Sequence, residues 1–277
     1  MRAVTDMIKS ITELHIERAR EYMALARNKY DSAVRPIYGI RRRGVAPIHI
    51  GSCVLLSLRD TRFLVTATHV IAHAKEIRLH VAGAKELIPF SFDASLTTTP
   101  DLYDFSVCVP SQVMQMELGD VMYIPEREIY ETVPLGRNRL RMVMGYPTSK
   151  NKKGIDNPRK AYRRTLWTYI NMSFAVEDTA AASILGAPTE DHLLIEFDHK
   201  NSLDLDGIGV HSITPHGASG GAMFDLGKMD VETLAKPAQC EAKLAGILTE
   251  YRPRNKVIVA TSMKPMLDGC RSLLSKA

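Results

Sequence analysis

The amino-acid sequence predicts a mostly β protein of antiparallel strands, with one helix at each end of the chain. From Pro47 onward, short apolar or alternating segments separated by polar and turn residues recur about eleven times, with no helical pattern between them. Such a series favours a sandwich or barrel architecture. The chain has 277 residues, of which 45% are hydrophobic and 24% charged, so it is long enough for one large domain or two small ones.

The first predicted element is an amphipathic helix over residues 4–26. Its apolar side chains recur at spacings of three and four residues, and charged side chains occupy the opposite face. The predicted apolar face consists of Val4, Met7, Ile8, Ile11, Leu14, Tyr22 and Leu25. Thr5 or Asp6 is the expected N-cap. Because an apolar face needs cover, we expect this helix to pack on the body of the protein, on another protein or on a second copy.

The predicted strands follow in two groups. They cover residues 54–58, 63–67, 77–81, 87–92 and 105–109, and then 140–144, 166–174, 193–197, 222–224, 244–249 and 257–260. The gap between Pro110 and Pro134 is the longest, and it predicts a connection between two β units. Residues 263–274 predict a short C-terminal helix, although Pro265 and Gly269 lower its helix propensity.

Composition and cysteine spacing exclude several classes of protein. No segment has the eighteen or more apolar residues that would cross a bilayer, and the N-terminal residues do not form a signal sequence. The four cysteines form no C-x-x-C pair, which argues against a zinc site and a disulfide framework. We therefore expect a cytoplasmic protein with reduced thiols, no metal and no cofactor.

Residues 150–164 contain seven basic residues against one acidic residue, Asp156, a local charge of +6, whereas the rest of the chain sums to about −1 and the net charge is +5. Gly154 and Pro158 in the same segment favour a solvated loop. A nucleic-acid-binding function would need aromatic stacking residues or a groove-reading helix, and the sequence offers neither. Nucleic acid is therefore not an expected partner.

Two motifs each bring a candidate catalytic side chain to the end of a strand. His69 follows the apolar segment 63–67, and Asp104 precedes the alternating segment 105–109. His73 lies four residues after His69, but Val70 occupies the position where the zinc-binding helical motif has glutamate, so we reject a metal pair.

The third motif is the most specific: Gly217-Ala218-Ser219-Gly220-Gly221. Glycines on both sides of a serine let the backbone turn sharply, so that N–H groups converge beside the hydroxyl, as oxyanion stabilisation requires. A serine hydroxyl also needs a base to accept its proton, and the base needs an acceptor to orient it. His69, Asp104 and Ser219 supply these three parts.

These motifs resemble those of the trypsin-like, chymotrypsin-fold serine peptidases in their short bacterial form. Thr66-Ala67-Thr68-His69 resembles the histidine motif of that family, Asp104-Phe105-Ser106-Val107 its aspartate motif, and Gly217 to Gly221 its serine motif, in the same order. Met144 to Pro147 is similar to the strand that opens the second barrel, and Ala245 to Glu250 to the strand that pairs with substrate. The resemblance covers residues 47–266.

The resemblance implies two antiparallel β-barrels and an intracellular serine endopeptidase that acts on protein or peptide substrates through an acyl-enzyme. We expect an N-terminal helix and linker over 1–46, a first barrel over 47–133 and a second over 134–277. The backbone N–H groups of Gly217 and Ser219 would form the oxyanion hole.

Departures from the family pattern refine these expectations. Ala218 replaces the acidic residue that pairs with a freed N-terminus, so we expect no activation by cleavage; Val70 in place of cysteine indicates a reducing compartment. The substrate pocket would have Ile213 at its base and Thr249, Glu250 and Tyr251 on its wall. Because Ile213 carries no charge, this pocket favours an uncharged substrate side chain. The alternative is a latent or inactive protease-fold module that binds a partner protein through residues 4–26.

Overall fold

The computed structural model describes residues 10–41, 46–99, 103–134, 136, 138–151, 166–173, 191–200, 202–203, 209–237 and 239–275. Their helices are α1 Ile11–Tyr30, α2 Thr68–Ala72, α3 Gln112–Leu118, α4 Thr148–Asn151, α5 Val231–Leu234 and α6 Met263–Leu274. Strands β1 to β8 are Val34–Ile40, Ile48–Leu58, Thr61–Ala67, Arg78–Ala82, Leu87–Pro89, Phe92–Thr97, Phe105–Pro110 and Ile124–Pro125. Strands β9 to β16 are Arg139–Gly145, Trp167–Ser173, His192–Glu196, Ser202–Leu203, Gly209–Val210, Ala222–Lys228, Lys243–Arg252 and Val257–Ser262.

The strands form two curled antiparallel sheets of half-barrel shape, which confirms the predicted fold class. The first sheet has the order β5-β4-β1-β2-β3-β7-β6, with β8 added in parallel to β2. The second has the order β10-β9-β14-β15-β16-β11. Strands β2 and β3 meet in a two-residue turn at Arg59 and Asp60, both with positive φ, as the favoured hairpin turn requires.

The main hydrophobic core lies between the two sheets. Val54, Leu56 and Phe63 from the first sheet meet Met144 and Phe224 from the second in one cluster of buried side chains. Helix α6 closes this core by packing on β3, β6 and β7 of the first sheet and on β15 of the second. The predicted C-terminal helix over 263–274 is thus confirmed, and its burial outweighs the low propensity of Pro265 and Gly269.

Helix α1 differs from the prediction in its cap and in its buried face. Its N-cap is Ser10, which with Glu13 forms a capping box, so neither Thr5 nor Asp6 caps this helix. The predicted helical residues 4–9 lie outside the described residues. The sequence analysis placed Leu14 and Leu25 on the apolar face, but both are exposed, as is Ile11.

The buried side chains of α1 are Tyr22, Met23, Ala26 and Tyr30, in its C-terminal half. They pack on this protein's own second sheet, against β9, β10 and β14, and α1 also contacts α5. The Tyr30 ring stacks on Phe224 with centroids 4.5 Å apart, and its hydroxyl donates to the Ala242 carbonyl at 2.7 Å. The body of the protein therefore covers one side of the helix.

Strand β1 is an element that the sequence analysis missed. Residues 34–40 were assigned to the linker before residue 47, yet β1 pairs with both β2 and β4 and lies inside the first sheet. Residues 152–164 of the basic segment, and residue 174 of a predicted strand, lie outside the described residues. Among the described helices, none combines the length and apolar character that a membrane crossing would need.

Candidate active site

Strand pairing within the first sheet brings His69 and Asp104 together. The partner of Ala67, at the end of β3, is Phe105, at the start of β7. The chain continues from β3 into α2, whose second residue is His69, while Asp104 directly precedes β7. Thr68 fastens this junction, because its N–H donates to the Asp104 carbonyl at 3.1 Å and its hydroxyl to the Phe105 carbonyl at 2.7 Å.

The Asp104 carboxylate makes two hydrogen bonds with His69. One oxygen, Oδ2, lies 2.7 Å from Nδ1 of the imidazole, and the other accepts the His69 backbone N–H at 3.1 Å. Asp104 adopts a left-handed backbone conformation with φ 44°, which aspartate tolerates better than most residues. The carboxylate thereby fixes the orientation of the imidazole ring, and the second ring nitrogen, Nε2, takes no part in this pairing.

Ser219 lies in a turn that its flanking glycines make sterically feasible. Gly217 and Gly220 have φ values of 88° and 83°, in the left-handed region that favours glycine. A Cβ at Gly220 would also collide with Ser52 O and Thr66 Oγ1. The Ala218 N–H donates to the Pro215 carbonyl at 2.8 Å, which together with the positive φ of Gly217 fits a type II turn.

Hydrogen bonds attach this turn to both sheets. The Ser52 N–H, on β2 of the first sheet, donates to the Ser219 carbonyl at 2.8 Å. On the second sheet, Gly220 N–H donates to Leu248 O at 2.7 Å, and Leu248 N–H donates to Gly221 O at 2.8 Å. The position of the serine therefore depends on the docking of the two sheets.

The Ser219 hydroxyl donates to the Thr249 carbonyl at 3.4 Å, and His69 is not its partner in this structure. Among the described residues, neither Gly217 N–H nor Ser219 N–H donates a hydrogen bond to a protein acceptor. Both donors predicted for the oxyanion hole are thus available to a ligand. A change of the serine χ1 from one staggered rotamer to another would change the partner of its hydroxyl.

A cleft of about 440 Å³ contains the candidate catalytic side chains. Its lining residues are His69, Tyr103, Asp104, His192, Pro215, His216, Gly217, Ala218, Ser219, Leu248, Thr249, Glu250, Tyr251, Arg252, Ile258 and Val259. Thr249, Glu250 and Tyr251 lie on the wall, where the sequence analysis placed them. Ile213 does not line this cleft: its side chain is half-buried and packs on the apolar cluster around Phe197, where an apolar chain is favoured.

Several cleft residues escaped the sequence analysis. The rings of Tyr103 and His192 stack with centroids 6.1 Å apart, and the Tyr103 hydroxyl donates to Asp191 at 3.1 Å. These contacts tie the residue before Asp104 to the second sheet. Tyr103 adjoins a predicted site residue and His192 adjoins a predicted strand, but no local pattern links positions so far apart in the chain.

Behind the serine turn lies the buried imidazole of His49, on β2. Its Nδ1 is 3.2 Å from the Thr148 hydroxyl, whereas the buried Nε2 has no hydrogen-bond partner among the described residues. Desolvation by burial lowers the pKa of His49 to about 4, so the ring is neutral at pH 7. The described residues contain no group of three or more His, Cys, Asp or Glu side chains that could hold a metal ion.

Two half-barrel sheets thus have a cleft between them, and this cleft contains a histidine, an aspartate and a serine. Comparison with solved structures agrees at the level of the fold. A serine endoprotease from Yersinia pestis matches with a TM-score of 0.50 and 15% identity, covering 98% of this chain and 68% of that chain. The chain accordingly has the chymotrypsin-like fold of the trypsin-like proteases.

The MamO protease domain from Magnetospirillum magneticum is also similar, with a TM-score of 0.46 and 12% identity, over 86% of this chain and 96% of that one. No protein-family model matches the chain, and no curated protein matches it.

Proposed function

We propose that this protein is a serine endopeptidase in which Ser219 is the nucleophile, His69 the general base and Asp104 the residue that orients the base. The observation that carries the proposal is the pairing of His69 Nδ1 with Asp104 at 2.7 Å in the same cleft as a glycine-flanked serine. Nucleophile, base and orienting acceptor are the parts that acyl transfer by a hydroxyl requires.

In the first step, the Ser219 hydroxyl leaves the Thr249 carbonyl, turns to His69 Nε2 and attacks the substrate carbonyl carbon as its proton passes to the imidazole. The Asp104 carboxylate stabilises the imidazolium that forms. The substrate oxygen becomes an oxyanion, which accepts hydrogen bonds from Gly217 N–H and Ser219 N–H.

In the second step, the imidazolium gives its proton to the leaving amine, the peptide C–N bond breaks, and an ester to Ser219 remains. Water then attacks the ester carbonyl while His69 accepts a proton from the water. Collapse of this intermediate returns that proton to the serine oxygen and releases the acid product. His69 therefore transfers a proton four times in one turnover.

The substrate is proposed to be an extended peptide that pairs with the β15 backbone. Strand β15 pairs with β14 only as far as Ile247, so from Thr249 onward its edge beside Ser219 has no strand neighbour in the described residues. An unpaired strand edge binds extended peptides through main-chain hydrogen bonds. Glu250 and Arg252 form an ion pair of 2.8 Å at the rim, which compensates their charges and supports an uncharged side chain at the cleaved position.

Free thiols support a reducing, cytoplasmic location. All four cysteines are unpaired, and burial raises the pKa of the Cys108 and Cys270 thiols to about 12, which keeps them protonated and unreactive. Structural disulfides are the rule for small secreted domains and are rare in the cytosol.

Labelling with a fluorophosphonate tests the proposal directly. The wild-type protein should react at one serine, which peptide mapping should identify as Ser219, and Ser219→Ala should remain unlabelled and lose turnover by several orders of magnitude. Ser262→Ala is the matched control, since Ser262 is a buried serine of the second sheet that makes no cap hydrogen bond with its side chain and should not affect which residue is labelled. Wild-type turnover by Ser219→Ala on a cleavable peptide would exclude Ser219 as the nucleophile.

The second candidate is a latent protease-fold module that binds a partner protein. The hydrogen bond from the Ser219 hydroxyl to Thr249 O favours it, because the nucleophile is then not presented to its base. The exposed side of α1, with Ile11, Leu14 and Leu25, is the proposed contact with the partner or with a second copy. Absence of labelling in a folded wild-type protein, together with partner binding lost in a Leu14→Asp, Leu25→Asp variant that melts like wild type, would select this function.

A further inference from the structure

The peptide between His216 and Gly217 is held in one orientation by a residue outside the three motifs. The Thr148 N–H, at the start of α4, donates to the His216 carbonyl at 2.8 Å. In a trans peptide the C=O and N–H groups point in opposite directions. A His216 carbonyl directed at Thr148 therefore leaves the Gly217 N–H directed away from Thr148, and Gly217 lines the cleft together with Ser219.

The position of Thr148 makes this donor available. Thr148 is the first residue of α4, and the first N–H groups of a helix have no partner within the helix. Its amide can thus bind the turn at no cost to the helix. The contact joins residues 68 positions apart, which is why no motif reveals it.

Side-chain packing keeps Thr148 and the turn in contact. A Cβ at Gly217 would collide with Thr148 Oγ1 and would come within 3.1 Å of His49 Cε1. The same hydroxyl is 3.2 Å from His49 Nδ1, and the Tyr38 ring packs on the imidazole at an interplanar angle of 82°, with centroids 5.5 Å apart. Gly217, Thr148 and His49 therefore meet at one point, with no room for a side chain at position 217.

We propose that Thr148 is a positioning residue for the oxyanion hole: its backbone N–H holds the His216 carbonyl out of the cleft and so keeps the Gly217 N–H in it. The inference rests on the proposed function, because the Gly217 N–H stabilises an oxyanion only if Ser219 attacks a carbonyl. According to this proposal, the connection between β9 and α4 controls whether the oxyanion hole is formed.

Two substitutions at one position separate the backbone donor from the side chain. Thr148→Pro removes the N–H, and its ring occupies the place of the carbonyl, while proline is favoured at the first position of a helix. Thr148→Ala keeps the N–H and removes only the hydroxyl. Peptide hydrolysis is measured as kcat and KM, the fold by thermal melting, and the orientation of the His216–Gly217 peptide by crystal structures of all three proteins.

The Pro variant should lose about 100-fold or more in kcat, the scale of one oxyanion donor, with KM within about threefold of wild type. The Ala variant should stay within about fivefold of wild-type kcat, as a role for the N–H alone requires. The crystal structure of the Pro variant should show the His216 carbonyl turned away from α4. Equal losses in the two variants, or an unrotated peptide in the Pro variant, would overturn the proposal.

A wild-type measurement covers the case in which the Pro variant does not fold. A scalar coupling across the hydrogen bond, from Thr148 ¹⁵N to the His216 carbonyl ¹³C, should be detectable by NMR, and a His216 carbonyl that instead faces the cleft in a wild-type crystal structure would refute the anchor. These structural readouts do not depend on activity. An inactive wild type with an anchored peptide would count against the proposed function, while the Thr148–His216 anchor itself would stand.

Discussion

Asp104→Asn is the substitution that tests the His69–Asp104 pair most sharply, because it preserves size and changes one atom. In the structure, one Asp104 oxygen accepts the His69 backbone N–H and the other faces Nδ1 at 2.7 Å. The amide can keep the first bond through its remaining oxygen. Its NH₂ group then faces Nδ1, and two donors cannot share a distance of 2.7 Å.

The imidazole escapes this conflict by moving its proton from Nδ1 to Nε2. With a proton on Nε2 the ring cannot accept the Ser219 proton, so the loss falls on the chemical step and not on substrate binding. The expected reduction in kcat is about 10⁴-fold, the value for the same change in the serine-protease template, or about 5 kcal/mol of transition-state stabilisation. KM should change little.

Steady-state kinetics on a cleavable peptide, with thermal melting to verify the fold, measure this effect. Asp191→Asn is the matched control, because Asp191 accepts a hydrogen bond from Tyr103 near the same cleft and should stay within a few-fold of wild type. The reasoning would be refuted if Asp104→Asn were nearly neutral while Asp101→Asn caused the large loss.

Three other outcomes are expected. The pKa of His49, about 4, lies below its ordinary value of 6.5, because the folded protein resists protonation of this buried ring. The free energy of unfolding therefore contains a contribution of about 3 kcal/mol from the neutral ring, which is complete above pH 6.5 and lost as the pH falls through 4. The free energy of unfolding, measured by urea titrations between pH 7 and pH 4, should change less steeply with pH in His49→Gln than in the wild type. An unchanged pH dependence would refute this. Tyr30→Ala should cost about 3–5 kcal/mol and lower the melting temperature by roughly 10 °C, whereas the exposed Leu25→Ala should cost under about 0.5 kcal/mol; equal shifts would mean that α1 does not pack as described. Activity should withstand EDTA and reductants, and inactivation that added zinc reverses would contradict a serine mechanism.

Local pattern sufficed for the predicted strands and for the fold, because alternation and turn residues are properties of neighbouring positions, but it missed β1, β8, β12, β13 and most of β6. Strands β3 and β7 were predicted to within one residue at each end apart from the start of β3, which lies two residues earlier. Periodicity was less informative for α1. It located an apolar face, but the face that is buried depends on the surface it meets, and the second sheet accepts Tyr22 and Tyr30 and leaves Leu14 exposed.

For the candidate site, too, local motifs located some residues and missed others. His69, Asp104 and Ser219 were found from short motifs, and the structure places all three in one cleft. The anchor of the oxyanion turn was not found, since Thr148 and His216 are 68 positions apart and no local motif links them. Ile213 was assigned to the base of the pocket because the loop length was taken from the family pattern. In the structure it packs instead on the apolar cluster around Phe197.

Ser52 connects the two sheets at the turn that contains Ser219. Its N–H binds the carbonyl of Ser219, its carbonyl leaves room only for a glycine at 220, and its hydroxyl accepts the Tyr146 N–H at 3.0 Å, at the end of β9. A chain divided between the sheets would therefore carry the base on one fragment and the nucleophile on the other. Reassociation of such fragments could be followed by the return of serine reactivity, which would report assembly of the whole molecule.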